Sequence, residues 1–255
     1  MLILAGLGLY DERDITLKTI EYAKRADKIY AEFYTATLTG TTLEKIEETI
    51  GKKITVLSRE KVEYETDKLI NESKDKDIMF LTVGDPMVAT THVDIAVEAR
   101  KKGIELIIIN APSIYSAVGI TGLQIYKFGK TTSIVFPEPK YFPETPYYVI
   151  KDNLNMGLHT LCLLDIQADK NKFMSANEGL EILLKIETNK KENILKKDTK
   201  AIVLARAGSL NPKIVYGKIE DLIDYDFGPP LHCIIIPGKL HFMEEEALKY
   251  ICENI

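Results

Sequence analysis

The sequence predicts an α/β protein of two α/β domains, the first built on a mostly parallel sheet. Short β-branched or aliphatic runs alternate with amphipathic segments through the first half. A Pro- and Gly-rich stretch then breaks that rhythm, and a second alternation follows it. Apolar runs of this length, separated by helices, belong in a sheet covered on both faces.

In order, the first half reads as strand LILAGL, helix DITLKTIEYAKRA, strand KIYAEFY, helix TTLEKIEETI and strand ITVLS. Helix KVEYETDKLINESKDK, strand DIMFLTVG, helix THVDIAVEARKKG and strand IELIIIN complete it. Gly51 and Gly103 fall just after their helices, where a left-handed cap is wanted. Five prolines and three glycines between Ala111 and Pro146 read as the connection between two domains, 1–112 and 113–255. The second half reads HTLCLLDI, SANEGLEILLKIE, KAIVLARAG, KIVYGKIEDLI, HCIIIPG and a final helix from about Met243. Ala176, Leu180, Leu183 and Leu184 form one helical stripe, and TNKKENILKKD reads as a solvated loop.

A chain of 255 residues, 45% hydrophobic and 28% charged, can bury a sizeable core. No apolar run approaches the ~20 residues of a membrane span, so a cytoplasmic protein is expected. A net charge of −5 argues against a nucleic-acid partner. Arginine occurs only at 13, 25, 59, 100 and 206, so the forked donors that grip phosphates and carboxylates are scarce. Cys162, Cys233 and Cys252 are far apart, and no His or Cys lies at metal-ligand spacing; no metal is expected.

The opening stretch LILAGLGLYDERDIT has the outline of a nucleotide loop. Gly6 and Gly8 match the start of a G-x-G-x-x-G fingerprint, and Glu32 stands near the distance of a ribose-binding acid. The third glycine is missing, because position 11 is Asp. Asp11, Glu12 and Asp14 surround Arg13, and three carboxylates would cancel the attraction of a helix N-terminus for phosphate. The plain alternative is a tight turn, with Asp14 or Thr16 capping the next helix.

A second loop, LTVGDPMVATTH, follows the fourth strand, at the end where parallel sheets place ligands. Pro86 restricts Asp85 to an extended backbone, leaving it to bond a ribose or amine, act as a base, or form an Asx turn. In INAPSIYSAVGITG, Ser113 either caps the next helix or offers its hydroxyl and amide to a ligand; no nucleophile elbow is present. Histidines 92, 159, 232 and 241 lie in separate elements, with His232 best placed for a cleft.

Together, GLGLYDERDIT, AEFYT, LTVGDPMVATTH, APSIYSAVGITGLQIYKFGK, HTLCLLDI, LARAGS and FGPPLHCIIIPGKLH resemble the diphthine synthases, of the tetrapyrrole methylase superfamily. The resemblance runs from Leu2 to about Glu245. It implies a tetrapyrrole methylase-like fold, not a Rossmann dinucleotide fold, with a cofactor cleft between the two domains. It implies methylation of the amine of a modified histidine on translation elongation factor 2, by an enzyme that is usually a homodimer. The methyl donor would be S-adenosyl-L-methionine, leaving S-adenosyl-L-homocysteine. Carried over residue by residue, cofactor contacts fall at Leu9, Gly84, Asp85, Val88, Ser113, Ile114, Leu164, Ala207 and His232. The family's tetrapyrrole-modifying members continue the first glycine loop as Pro-Gly-Asp; here it reads Leu9-Tyr10-Asp11, which argues against a porphyrinoid substrate.

The chemistry suits these residues. The cofactor carries no phosphate, and methyl transfer to a neutral amine depends on positioning rather than on a protein nucleophile or metal. No catalytic side chain is assigned; Tyr10 or Tyr115 could face a cation, although packing explains both. The alternatives are a tetrapyrrole C-methyltransferase, whose polycarboxylate substrate calls for arginines, and a non-catalytic nucleotide-binding regulator.

Overall fold

The computed structural model describes residues 1–34 and 36–255, apart from the side chains at 63–65 and 169. Thr35, which closes the AEFYT motif, lies outside the described residues. The chain forms two compact units, Met1–Ala117 with Gln167–Lys170, and Val118–Ile166 with Asn171–Ile255.

The first unit runs β1 (Leu2–Gly6), α1 (Leu17–Arg25), β2 (Lys28–Glu32), α2 (Leu43–Ile50), β3 (Thr55–Leu57), α3 (Arg59–Glu72), β4 (Ile78–Thr82), α4 (Val93–Lys101), β5 (Leu106–Ile109) and α5 (Ile114–Ala117). Its sheet is parallel throughout, in the order β3-β2-β4-β1-β5. Side chains alternate along β1 and β4 and so feed two cores. Ile3, Ala5, Met79 and Leu81 pack with Ala23, Ile46 and Ile50, while Leu2, Leu4, Ile78 and Phe80 pack with Ile70, Ile95 and Ala99. Thr16, Thr42 and Ser58 accept the amide hydrogens of Thr19, Lys45 and Lys61, opening α1, α2 and α3. Ser58 therefore starts α3 two residues before the expected Lys61. Gly51 and Gly103 take the expected positive φ, 76° and 70°.

The second unit, apart from Gln167 at the end of β8, runs β6 (Thr132–Ile134), α6 (Thr145–Asn155), β7 (Thr160–Leu164), β8 (Ile166–Gln167), β9 (Lys172–Phe173), α7 (Ala176–Lys190), β10 (Lys200–Ala205), β11 (Lys213–Lys218), α8 (Ile219–Leu222), β12 (His232–Ile236), α9 (Phe242–Ile251) and β13 (Glu253–Asn254). Its main sheet is ordered β13-β11-β10-β12-β7-β6 and is mixed: β7, β12, β10 and β11 run antiparallel to one another, and the edge strands β6 and β13 pair parallel with β7 and β11. No helix separates β10 from β11, and a short connection permits only an antiparallel pair.

Three expectations are corrected here. The stretch read as a connection contains strand β6 and the start of α6; a three-residue strand carries no periodicity, and Pro146 opens its helix instead of breaking one. TNKKENILKKD is not simply solvated. Its first residues extend α7, and Leu195 is fully buried because Glu187 accepts the amides of Asn193, Ile194 and Leu195 and pins the turn. In the α7 stripe, Leu184 is only half-buried; Gly179 and Ile186 complete the core face.

Candidate functional site

In the first unit, the chain leaves β1 toward β2 on one side and leaves β4 toward β5 on the other. The carboxyl ends of these two adjacent strands therefore mark a topological switch point. Three loops meet there. Gly8 and Gly84 exchange backbone hydrogen bonds, N–H to carbonyl at 3.3 and 2.7 Å. Gly6 cannot be larger, since a Cβ there would overlap the Gly84 carbonyl and the Ala111 side chain. Gly8, at φ +83°, lies over Asp14 and has no room for a Cβ either.

Asp14 is not the helix cap; Thr16 is. Oδ2 of Asp14 instead accepts the amide hydrogens of Leu9 and Tyr10, both at 2.9 Å. These are amides that a phosphate loop would turn toward its ligand, and here the chain's own carboxylate occupies them. Asp11 pairs with Arg13, whose guanidinium holds the Asp11 carboxyl below its ordinary value. The acidic residues thus build the loop, which sharpens the reasoning against phosphate.

Asp85 forms the Asx turn, with Oδ1 accepting from Met87 N at 2.9 Å. It also reaches the third loop: Oδ2 accepts from Asn110 Nδ2 at 3.0 Å and from Ala111 N at 3.1 Å. One buried carboxylate therefore ties the second loop to the third. Val88 follows, its amide on the Asp85 carbonyl, and Gly84 at φ +73° opens onto free space, with nothing within 4 Å of a built Cβ. Ser113 is buried, and Ile114 begins α5. The bonds at that helix start run through the Ser113 carbonyl and Ser116 Oγ, not through the Ser113 hydroxyl. Leu9, Gly84, Asp85, Val88, Ser113 and Ile114 thus lie in three stitched loops. Asn110 takes part in the stitching and was not singled out in the sequence, because its partner depends on the sheet; Asp14, read there as a possible helix cap, instead closes its own loop.

In the second unit, the remaining three residues gather at one end of the mixed sheet. Leu164 closes β7, Ala207 follows β10, and His232 opens β12 opposite Ala205. Arg206, at φ +54°, braces this end: its amide donates to Leu231 O and its Nη1 to the carbonyls of Phe227 and Pro229. His232 is spent on structure as well. Its Nδ1 accepts from Ala176 N at the start of α7 (3.2 Å), and Nε2 donates to Pro229 O at 3.1 Å. Burial holds its pKa below the ordinary histidine value, so the ring is neutral and any ligand contact falls to the backbone.

The chain resembles known proteins along its length. The family model described as Tetrapyrrole (Corrin/Porphyrin) Methylases matches residues 1–223. The diphthine synthase of Methanococcus aeolicus is 79% identical over 255 residues, covering 100% of this chain and 99% of that one. The diphthine synthase of Methanocaldococcus jannaschii is 77% identical over 257 residues, covering both chains completely. A solved diphthine synthase structure superposes with a TM-score of 0.90 at 37% identity, covering 100% of this chain and 97% of that one. With its glycine-bridged loops and its parallel and mixed sheets, the chain belongs to the tetrapyrrole methylase family and, within it, to the diphthine synthases.

Proposed function

We propose that this chain is an S-adenosyl-L-methionine-dependent methyltransferase that methylates the amine of the modified histidine on elongation factor 2, giving diphthine. The observation that carries the reading is likeness along the entire chain to proteins named diphthine synthase. The residues present suit the cofactor. Gly84 leaves open space beside its backbone, and three hydrogen-bonded loops meet at this strand end without a phosphate-binding charge. When bound, the cofactor's sulfonium supplies the methyl group. The protein's part is to hold the acceptor nitrogen in line with that methyl and to exclude water. We assign the contacts to Leu9, Gly84, Asp85, Val88, Ser113 and Ile114 from the first unit, and Leu164, Ala207 and His232 from the second.

The arginines favour an amine over a tetrapyrrole polycarboxylate. Arg13 pairs with Asp11, Arg25 with Glu21, Arg59 stacks on Tyr34, Arg100 holds the Leu106 carbonyl, and Arg206 braces its loop. Every arginine already has an internal partner. We place the enzyme in the cytoplasm as a homodimer, to be checked by sedimentation; among the described residues no helix is long and apolar enough to cross a membrane.

The test is mass spectrometry of elongation factor 2 carrying the amine intermediate, incubated with enzyme and cofactor. Added methyl groups at that histidine are expected, and their absence removes the function. Asp85→Ala should leave the fold intact yet weaken cofactor binding about tenfold or more, since the second and third loops lose their tie. An unchanged affinity by calorimetry would show that Asp85 only shapes its turn.

A further inference from the structure

Beside the stitched loops, on the other face of the same sheet end, lies a buried polar group that the cofactor contacts do not use. Ala31 pairs with Leu81, and the next residues on those strands are Glu32 and Thr82. Both share the face of Tyr30 and Phe80 by strand alternation. Glu32 is 1% exposed, Thr82 2% and His92 4%. His92 Nε2 faces Glu32 Oε1 at 3.7 Å, and Glu32 Oε2 accepts the Tyr34 amide at 3.1 Å. On its other side, His92 Nδ1 lies 2.6 Å from Thr90 Oγ1. Thr90 is half-buried and belongs to the loop of Gly84, Asp85 and Val88, beside Ala89, whose φ is +54°.

Helix capping does not explain the imidazole. His92 precedes α4 but makes no side-chain cap bond; the Thr90 hydroxyl takes the His92 amide instead. Meanwhile, Thr82 Oγ1 is buried with no hydrogen-bond partner. A buried hydroxyl without a partner marks a place for a water or a polar group of a ligand.

Resting on the methyltransferase reading, we propose that Thr90, His92 and Glu32 form a relay that takes the proton from the acceptor amine. The amine becomes nucleophilic only when neutral. Its proton passes to Thr90 Oγ1 as the Thr90 proton passes to His92 Nδ1, leaving an imidazolium beside the Glu32 carboxylate. The freed nitrogen lone pair then forms the bond to the methyl carbon, and the carbon–sulfur bond breaks with its electron pair remaining on sulfur. The imidazolium returns its proton to solvent before the next transfer. Thr90 is the catalytic residue of this relay; His92 and Glu32 position and charge-balance it. Burial holds His92 below its ordinary pKa, so the resting ring is neutral, and the Glu32 carboxylate is the group that favours the imidazolium when it forms. Among the described residues, Glu32 from β2 is the charged group acting on it, while β4 contributes the Phe80 ring, edge-on at 5.3 Å.

The test compares wild type with Thr90→Val and His92→Gln by single-turnover methyl transfer across pH, cofactor affinity by calorimetry, and NMR titration of the His92 ring. In wild type the rate should fall in acid with the midpoint at which His92 itself titrates. Thr90→Val should lose roughly a hundredfold at pH 7 and regain wild-type rate at alkaline pH, where the amine is neutral without help, with cofactor affinity unchanged within twofold. An equal loss at every pH, no loss, or a His92 midpoint away from the acid limb overturns the relay. His92→Gln should reproduce the alkaline rescue if the fold holds. A wild-type enzyme that binds cofactor yet methylates nothing at any pH overturns the function, and the relay with it.

Discussion

Among the described residues two histidine–carboxylate pairs are buried, and they are built differently. In the second unit, His159 Nε2 donates to Glu244 Oε1 at 2.9 Å, and its Nδ1 accepts the Gly238 amide at 2.9 Å. Glu244 also binds Lys127 and accepts the amides of Gln124 and His241. Every donor and acceptor is matched, which is what a buried ion needs if it is to hold the fold. In the first unit, His92 and Glu32 stand 3.7 Å apart, one end of the line reaches a loop hydroxyl, and Thr82 next to Glu32 is unmatched. A network of short, matched bonds stabilises, whereas a wider pair beside an unpartnered hydroxyl, at the carboxyl end of a parallel sheet, is placed for chemistry.

The largest effect should come from opening the closed pair. Glu244→Ala takes away the partner shared by the buried His159 and the half-buried Lys127 and should lower stability by about 3–5 kcal/mol, read from urea unfolding. A loss below about 1 kcal/mol would erase the contrast. Acid should strike the same place. Burial pushes the Glu244 pKa up, but Lys127, the two amides and His159 outweigh it and pull it to about 2. A carboxylate with a depressed folded pKa stabilises above its unfolded value and loses that contribution as pH falls. About 3 kcal/mol should therefore disappear between pH 4.5 and 2. Burial also holds His92, His159 and His232 below their ordinary value of 6.5. The unfolded chain takes up protons first, so stability should already decline as pH drops below 6.5. A urea midpoint that stays flat from pH 7 to 3 would contradict both trends. The smallest effect belongs to the open pair: Glu32→Gln keeps an acceptor for the Tyr34 amide and should change stability by less than about 1 kcal/mol. A cost as large as that of Glu244→Ala would make the two pairs alike.

Much of this was legible beforehand where the signal is local. The five strands of the parallel sheet, the left-handed glycines at 51 and 103, and the missing third glycine each show within a few residues. Strand β6 was not legible, because three residues carry no period and the surrounding prolines resemble a linker. Glu32 shows the boundary well. Setting it aside as a ribose ligand followed from the loop before it, but its neighbour His92 lies sixty residues away in the chain.

By itself, the sequence determined the α/β class, the left-handed glycines that end two helices, the absence of a phosphate-loop motif and, through its motifs, the family. Periodicity, capping and turn chemistry are properties of contiguous residues, so they survive without coordinates. Only the tertiary structure decided that Asp14 fills the first loop's amides, that Asp85 holds Asn110 and Ala111, and that the second sheet is mixed. It alone separated the closed histidine pair from the open one. Those outcomes depend on which strand ends the packing brings side by side, and burial then decides which polar groups find a partner.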